Sequence, residues 1–398
     1  MLHIANIIRD QKFIDGQIAY HDLTSDQCLH DYFIVSWEKN IVFKYMKKSE
    51  RVRIVTPDEL IDILEKHTYD ALFIHNFLYM PLHYMWKIPA SIKVFWFAWG
   101  YDIYNTPKDH PYISIPLLHN KSQALLEELR RTQNKVSDFT KFKREIKAYI
   151  KKLVQYKRQN HNDEPSVYKK AVTRVDYFSG VFPLEYNLLK EHPEFHAKRV
   201  VYEYTNPADW ENIDTEIPKI GHNVLIGNSA DINNNHLDVL DYLKGVNFSG
   251  KKVIVPLSYG GSKHYANTIA QAYDHFFGNV CISLLDYMPR EDYFKLLSSV
   301  GVGIFFHERQ QATCNIEELL RHGVKLFLSE TSINYKHYKS VGYHIYSLQH
   351  DFNQHTLETP LTDEQKLHNA KLWLKTSNKE YRLKYLYDIY DLLNNQKQ

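Results

Sequence analysis

Short apolar runs, rich in β-branched and aromatic residues, recur along this chain with helical stretches between them. This alternation is typical of βαβ units, in which crossover helices join parallel strands. The first series comprises Leu2–Ile8, Tyr32–Ser36, Val52–Val55, Ala71–His75, Val94–Ala98 and Val175–Phe178. The second comprises Asn223–Ile226, Val253–Pro256, Val280–Ser283, Val302–Phe306, Lys325–Leu328 and a last run near Tyr343–Tyr346. The pattern predicts an α/β protein with two doubly wound, Rossmann-like halves.

A stretch rich in Pro, Asn and Asp, Tyr204–Lys219, separates the two series and has no hydrophobic period. It is typical of an interdomain linker. The chain has 398 residues, enough for two domains. We therefore expect an N-terminal domain over residues 1–205 and a C-terminal domain over residues 206–375.

Two segments fall outside the strand series. Lys121–Gln159 lacks Gly and Pro, which predicts a helical insertion, residues 120–170, in the first domain. Residues 376–398 should form a C-terminal amphipathic helix packed on one domain. Its apolar positions follow helical spacing: Leu386, Ile389, Tyr390 and Leu393.

Charge distribution limits the partners. The net charge is only +2, so the chain as a whole lacks the footprint of a nucleic-acid-binding protein. Within Lys141–Arg158, however, many basic residues face the single acid Glu145. Apolar residues interleave them at helical spacing, which predicts a basic amphipathic helix able to lie on an anionic membrane surface. The alternative is a solvated helix packed on its own domain.

Several chemistries have no signature here. The cysteines, Cys28, Cys281 and Cys314, are odd in number and far apart, which fits neither a disulfide framework nor a zinc site. No signal peptide and no apolar run long enough to span a membrane is present. We find no DxD or HExxH motif, and expect no metal and no cofactor. These features favour a cytoplasmic protein.

Three polar loops follow strands of the second series, where ligands of such sheets bind. Gly227, Asn228 and Ser229 turn the chain and precede a helix start, which suits a phosphate. A turn with a helix N-cap explains these residues equally well. The next loop carries Tyr259 and Lys263, and Lys263 could reach a diphosphate.

The third loop carries Arg309, Gln310 and Gln311 directly after an apolar strand. Arg309 offers a forked donor for phosphate, and the two glutamines can bind hydroxyl or amide groups. A surface salt bridge between Glu308 and Arg309 is the alternative. Neither a P-loop nor a GxGxxG motif is present.

In the first half, His75 and Asp102 follow two successive predicted strands. Either could act as a general base toward a sugar hydroxyl. The alternatives are a buried core histidine for His75 and a helix cap for Asp102. Trp99 and Tyr101 lie in the same segment as Asp102 and are expected on the acceptor side.

Four blocks together resemble glycosyltransferase family 56, the TDP-Fuc4NAc:lipid-linked-saccharide Fuc4NAc transferases. The blocks are Phe95–Tyr104, Val224–Asp231, Val253–Tyr259 and Val302–Thr313, which contain WG-x-D-x-Y, GNS and RQQ. The resemblance spans roughly Ala71–Leu328. It implies a GT-B fold of two Rossmann-like domains facing across a cleft, with the sugar nucleotide on the C-terminal domain and the acceptor on the N-terminal one.

The resemblance also implies transfer from a dTDP-sugar to a polyprenyl-diphosphate-linked saccharide at the inner membrane face, as in enterobacterial common antigen, O-antigen or capsule assembly. Gly227, Asn228 and Ser229, with Tyr259 and Arg309, would then hold the diphosphate, and Glu317 would contact the ribose or sugar. Two other classes remain open: a sugar-nucleotide epimerase of similar architecture and a non-catalytic glycan-binding protein.

Overall fold

The computed structural model describes residues 1–104, 115–135, 165–210 and 220–396. The chain divides into two compact units. The first comprises Met1–Ser114, Lys147–Ile213 and Ser377–Gln398, and the second comprises Ile115–Ile146 and Asp214–Thr376. The chain therefore leaves the first unit twice and returns to it twice.

The first unit is built on a parallel sheet of seven strands in the order β3-β2-β1-β4-β5-β6-β7. Its strands are β1 Leu2–Ile7, β2 Cys28–Val35, β3 Val52–Val55, β4 Ala71–Ile74, β5 Lys93–Phe97, β6 Tyr177–Ser179 and β7 Lys198–Arg199. Its α-helices are Ile14–Asp22, Pro57–Lys66, Tyr101–Tyr104, Pro165–Val172, Pro183–Leu189 and Lys379–Asn395. Short 3-10 helices cover Ser49–Arg51, Phe77–Tyr79, Leu82–Lys87 and Pro207–Asp209.

The second unit is built on a parallel sheet of six strands in the order β10-β9-β8-β11-β12-β13. Its strands are β8 Asn223–Ile226, β9 Val253–Pro256, β10 Cys281–Leu284, β11 Val300–Phe305, β12 Lys325–Leu328 and β13 Tyr346–Ser347. Its α-helices are Asn120–Lys135, His236–Tyr242, Lys263–Phe277, Arg290–Leu297, Thr313–Arg321, Ile333–Val341, Gln354–Glu358 and Asp363–Ser377. Two 3-10 helices cover Ile232–Asn234 and Gly278–Val280.

Both sheets follow the doubly wound order, which confirms the predicted fold class. Strands β4, β9 and β12 are buried along their whole length, as parallel strands covered on both faces must be. Each predicted run contains or overlaps a strand. Among the described strands, only β7 has no predicted run, because its two exposed residues, Lys198 and Arg199, carry no apolar signal.

In each sheet the strand order reverses at one place, between β1 and β4 in the first and between β8 and β11 in the second. Ligands of doubly wound folds bind outside the carboxyl ends of the strands at this topological switch point. A functional site is therefore expected at these two places, one in each unit.

The structure places two segments more definitely than the sequence did. We expected the insertion 120–170 in the first domain. Its helix Asn120–Lys135 instead packs on the second unit, because Asp238 accepts hydrogen bonds from the backbone N–H of Lys121 and Ser122 at 2.8 and 3.0 Å, whereas the helix Pro165–Val172 lies in the first unit. The basic stretch Lys141–Arg158 lies outside the described residues. The helix Lys379–Asn395 belongs to the first unit, where its buried face joins the core around β1 and β4. Among the described residues, no helix is long and apolar enough to cross a membrane.

Candidate donor and acceptor sites

The loop after β8 turns at Gly227, whose φ is +68°. Its N–H donates to the carbonyl of Ile304 on β11 at 2.9 Å, so the turn starts while the chain is still paired to the sheet. A Cβ here would lie 2.9 Å from Nε2 of His236. Only glycine combines this left-handed conformation with so close an approach. The predicted turn at Gly227 is thus fixed by both backbone and packing.

Amide side chains join the loops that follow β8, β9 and β11. Nε2 of Gln311 donates to Oδ1 of Asn228 at 3.0 Å, and Nδ2 of Asn228 donates to the hydroxyl of Tyr259 at 3.1 Å. Nδ2 of Asn234 donates to the carbonyl of Ser229 at 3.0 Å. Four of the predicted donor-site residues therefore meet within one hydrogen-bonded cluster, although they are far apart in sequence.

The loop after β9 packs directly on the loop after β8. Ala230 donates its N–H to the carbonyl of Tyr259 at 2.7 Å, and a Cβ on Gly261 would lie 2.0 Å from the carbonyl oxygen of Ala230. Tyr259 keeps a half-exposed side chain. Lys263 is exposed and begins the helix Lys263–Phe277, which Ser262 caps. The structure thus leaves both predicted side chains accessible to a ligand.

Arg309 is nearly buried and pairs with a carboxylate. Its Nη2 donates to Oδ2 of Asp231 at 3.0 Å and its Nη1 to the carbonyl of Gln310 at 3.1 Å. The alternative pairing with Glu308 does not form, since Glu308 accepts from His119 at 2.8 Å and from Ser329 at 2.6 Å instead. Burial raises the pKa of Glu308, but these hydrogen bonds outweigh it and leave the pKa below its usual value. Arg309 therefore forms its ion pair with Asp231 and not with Glu308.

Several buried polar atoms around this switch point lack hydrogen-bond partners. They are Nε of Arg309, Oε1 of Gln311, Nε2 of His236 and Nδ1 of His307. Burial lowers the pKa of both histidines to about 3, so their rings are neutral. An unpaired buried donor or acceptor costs about 1 to 3 kcal/mol. Other unpaired buried atoms occur elsewhere in the described residues, such as Oε1 of Gln17 and Nε1 of Trp99. Four of them around one switch point are typical of a site whose partners arrive with a ligand.

The helix Thr313–Arg321 starts beside this cluster. Ala312 precedes it with a φ of 60°, and no side chain caps it. Gln310 binds the first helical residue, Thr313, at 2.6 Å. One turn further on, Glu317 is partly buried, and burial raises its pKa to about 7. An uncapped helix N-terminus favours an anion, and a carboxylate next to it can accept hydroxyl hydrogen bonds.

In the first unit, His75 follows β4 at the switch point and is completely buried. Its Nε2 pairs with Oδ1 of Asn6 at 3.1 Å and its Nδ1 with the hydroxyl of Tyr204 at 2.9 Å. Burial lowers its pKa to about 3. Both ring nitrogens are occupied, so this geometry gives His75 no free lone pair for a substrate proton and corresponds to the alternative of a core histidine.

Asp102 is also completely buried. Its carboxylate accepts from Nε1 of Trp96 at 2.6 Å and from the backbone N–H of Phe77 and Trp99 at 2.9 and 3.0 Å. Burial raises its pKa, and these hydrogen bonds oppose the rise. Asp102 therefore joins the segments that follow β4 and β5, and no substrate hydroxyl reaches it in this arrangement.

Trp99, held in this way, is partly buried and lies against Phe13, with ring centroids 5.4 Å apart, and against Tyr204 at 4.4 Å. It thereby forms an aromatic surface at the carboxyl edge of the first sheet, where we expect the acceptor. The side chain of Tyr101 lies outside the described residues.

Sequence reasoning missed the residues that organise each site. Neither Asp231 nor Asn234 is among the predicted site residues, and Asn6 lies within an apolar strand. One signal was available, because a lone Asn in the buried strand Leu2–Ile7 must satisfy its amide inside the protein. Among the described residues, no group of three or more metal-ligating side chains occurs.

Residues 169–357 match the family model described as 4-alpha-L-fucosyltransferase, glycosyl transferase group 56. Solved structures with the same fold include the apo form of OtsA, at 11% identity with a TM-score of 0.59 over 97% of this chain and 98% of that one. The lipopolysaccharide outer core galactosyltransferase WaaB, in its apo form, matches at 8% identity and a TM-score of 0.59 over 100% of both chains. A glycosyltransferase from Rickettsia africae matches at 10% identity and a TM-score of 0.58 over 98% of both.

At these low identities the solved structures support only the fold, whereas the family model supports the activity. The two sheets, their switch points and the neighbours together identify the GT-B fold. Residues 169–357 are similar to the glycosyl transferase group 56 model, and the protein is a glycosyltransferase.

Proposed function

We propose that this enzyme transfers a deoxy-amino sugar, Fuc4NAc-like, from a dTDP-sugar to a polyprenyl-diphosphate-linked saccharide in cell-surface polysaccharide biosynthesis. The family description names a fucosyl transfer, which makes a deoxy sugar the first donor to consider. The observation that carries the proposal is the cluster of buried polar atoms without partners at the switch point between β8 and β11.

Asp231 already shows what Arg309 can bind. A carboxylate and a phosphate offer the guanidinium the same pair of anionic oxygens, so a diphosphate can take the place of Asp231 or share Arg309 with it. The exchange replaces one charge-assisted hydrogen bond by another and adds a partner for Nε, which is buried without one. A diphosphate can therefore bind the Arg309 guanidinium without the entropic cost of ordering that side chain, which Asp231 already holds in place.

The other predicted donor-site residues surround the same place. Ser229 and the uncapped start of the helix Thr313–Arg321 supply N–H groups near the diphosphate, and Tyr259 and Lys263 remain accessible beside it. Asn228 donates its backbone N–H to Oδ1 of Asn234 at 3.3 Å, so it would have to exchange that partner for the diphosphate. As the glycosidic bond to the diphosphate breaks, these donors stabilise the developing charge on the leaving group. Glu317 binds a ribose or sugar hydroxyl, and Gln310 and Gln311 orient the cluster.

The acceptor binds the first unit at Trp99 and Tyr101. His75 and Asp102 shape this edge through their buried hydrogen bonds, so we treat them as positioning residues. The basic stretch Lys141–Arg158 attaches the enzyme to an anionic membrane surface, where a lipid-linked acceptor resides. If so, charge reversal at Lys147, Lys151 and Lys152 reduces recovery of the protein with anionic liposomes, and unchanged recovery removes this segment from the proposal.

The test is incubation with a panel of dTDP-sugars, with and without a lipid-linked saccharide. Our proposal expects release of dTDP only when both the donor and the acceptor are present, with the sugar recovered on the lipid. An epimerase instead converts the sugar nucleotide without any acceptor, and a glycan-binding protein retains the saccharide without releasing dTDP. Either of those results contradicts the proposed transfer.

A further inference from the structure

An exposed loop of the first unit combines apolar tips with lysines. It covers residues 36–48 and follows β2, and we call it the 36–48 loop. Val42 is 92% exposed, Tyr45 38% and Trp37 36%. The loop also contains four lysines and one glutamate. This composition differs from an ordinary surface loop, in which large apolar side chains are sparse.

The 36–48 loop is fixed in shape by two aspartates. Asp10 accepts hydrogen bonds from the backbone N–H of Lys44 at 2.6 Å and of Met46 at 2.8 Å, and Asp15 accepts from Lys47 at 2.8 Å and from Lys48 at 3.0 Å. Carboxylates that accept several backbone N–H groups hold a turn in one conformation. The apolar tips are therefore presented by a defined structure.

The side chains of this loop divide between the core and the solvent. Met46 is buried, and Ile41 and Phe43 pack against the same small cluster below the loop. Val42 and Tyr45 lie between these anchors in sequence and face outward. The anchors on either side hold Val42 outward with its side chain almost fully exposed, which suits an apolar partner outside this unit.

Lysines surround these tips, and the carboxylates of Asp10 and Asp15 lie against the loop backbone. Lys44 and Lys47 are exposed and form no ion pair with any described residue. The ammonium groups of Lys44 and Lys12 lie 4.9 and 5.9 Å from the ring of Tyr45. Trp and Tyr favour the boundary between lipid headgroups and acyl chains, and lysines beside them bind anionic headgroups. A protein partner would need an acidic rim, whereas an anionic bilayer fits both features directly.

We propose that the 36–48 loop inserts its apolar tips into the interface of an anionic lipid bilayer. The position suits the proposed function, on which its biological meaning rests. The loop leaves β2 at the carboxyl edge of the first sheet, the edge that also carries Trp99 and Phe13. A bilayer bound there keeps a lipid-linked acceptor beside the expected acceptor surface.

The test is flotation of the full-length protein with vesicles of phosphatidylcholine alone or mixed with phosphatidylglycerol. We expect Val42→Asp to weaken binding to the mixed vesicles about tenfold, since a buried apolar contact becomes a buried charge. Reversing Lys44 and Lys47 to Glu should weaken it by more than about twentyfold, given roughly fivefold for each lysine neutralised. Binding to phosphatidylcholine alone should be weak throughout.

Matched controls come from the second unit. Val341 is 41% exposed, so Val341→Asp repeats the same substitution elsewhere, and Lys371→Glu with Lys375→Glu repeats the charge reversal on an exposed helix face. Both controls should float like the wild type. Equal flotation of Val42→Asp and Val341→Asp overturns the proposal, as does a loss that follows only from reversal of Lys147, Lys151 and Lys152.

A second readout separates this inference from the proposed transfer. With a short-chain, water-soluble acceptor, the loop variants should turn over like the wild type, whereas with the acceptor embedded in anionic vesicles their turnover should fall about as much as their binding does. If the protein floats through this loop but transfers no sugar to either acceptor, the proposed function fails and the membrane surface stands. If transfer proceeds and the loop variants bind vesicles normally, the membrane surface fails.

Discussion

The two switch points of this enzyme have the same topology but differ in how many of their buried polar atoms have hydrogen-bond partners. In the first unit, His21, His30 and His75 meet Asn6 and tyrosine hydroxyls, and all six ring nitrogens have partners between 2.8 and 3.1 Å. In the second unit, Arg309, Gln311, His236 and His307 each retain a buried polar atom without one. The histidines of the first unit are thus fully paired, although Oε1 of Gln17 and Nε1 of Trp99 near them are not, and we call this network closed and that of the second unit open.

Asn6 explains why the first network closes. Its Nδ2 donates to the carbonyl of Asp31 at 3.1 Å, which fixes the orientation of the amide. Nδ2 then donates to Nδ1 of His30, and Oδ1 accepts from Nε2 of His75. The amide thereby sets the tautomer of both histidines. A closed network of this kind stabilises the fold and leaves nothing for a substrate, whereas an open one is stabilised by a ligand.

The largest effect is expected from breaking the closed network. Asn6→Leu removes the partners of His30, His75 and the Asp31 carbonyl while keeping a similar volume. Because each unsatisfied buried group costs about 1 to 3 kcal/mol, we expect a loss of about 3 kcal/mol or more in the free energy of unfolding. Urea denaturation measures it. Asn279→Leu, at an exposed position, is the control and should change stability by less than about 0.5 kcal/mol.

The same network decides the role of His75. If His75 only positions its neighbours, His75→Gln lowers stability but leaves kcat nearly unchanged below the melting temperature. A general base contributes typically 100-fold or more to the rate. A loss of that size in kcat with unchanged stability would show that His75 reaches the substrate after all.

In the open network, the largest effect should fall on activity. Arg309→Ala removes the forked donor proposed for the diphosphate, and we expect a loss of at least about 2 kcal/mol in transition-state binding, or about thirtyfold in kcat/KM. Steady-state kinetics at several donor concentrations measures it. Arg321→Ala, at the other end of the helix Thr313–Arg321, is the matched control.

Arg309→Ala also leaves Asp231 unpaired, so a second variant is needed. Asp231→Asn weakens the ion pair but keeps Arg309, and it should retain most of the activity. Unchanged kcat/KM in Arg309→Ala removes Arg309 from the donor site and with it the main argument for a diphosphate there.

Gln311→Leu gives the sharpest contrast with Asn6→Leu. The substitution loses one hydrogen bond to Asn228 but also removes Oε1, which is already unpaired. The free energy of unfolding should therefore change by less than about 1 kcal/mol, while dTDP binding, measured by calorimetry, weakens by about 1 kcal/mol, or fivefold. A destabilisation as large as that of Asn6→Leu, with normal dTDP binding, would mean that this network is structural too.

Sequence patterns predicted the sheets well because each strand has its own local signal. Ala71–Ile74 and Lys325–Leu328 are continuous apolar runs, and Gly227 marks the turn after β8 directly. The sequence could not place the helix Asn120–Lys135 on the second unit, because that position depends on contacts across more than a hundred residues, such as the N–H of Lys121 donating to Oδ1 of Asp238 at 2.8 Å. Local periodicity carries no record of such pairs.

The predicted site residues also divide into those whose placement the sequence indicated and those whose hydrogen bonds it could not show. Arg309 and Gln311 were predicted because polar residues after a buried strand stand out, and the structure places both in one cluster. His75 and Asp102 stood out for the same reason, yet they occupy buried networks, because a sequence shows where a polar residue falls and not whether its hydrogen bonds are already satisfied. That distinction depends on pairings in three dimensions. Tyr204, which binds His75, is remote in sequence, and Trp96 stands in the same block as Asp102 without any sign that its Nε1 binds the carboxylate.

The smallest effect concerns Glu317, and it depends on pH. Burial raises the pKa of its carboxyl to about 7, above an ordinary value of 4.5, so the folded state holds a proton that the unfolded chain releases between these values. The folded state is therefore relatively favoured below about pH 4.5 and loses this advantage as pH rises through 7. Glu317→Gln removes the titration, so thermal unfolding should show the variant more stable than the wild type at pH 8, by about 0.5 to 1 kcal/mol for a partly exposed group, with no difference near pH 4.5. The donor KM should rise in the same variant, because an amide is a weaker acceptor for a sugar hydroxyl than a carboxylate. A gain in stability at pH 8 without any change in KM would place Glu317 outside the donor site and leave its burial without a functional reason.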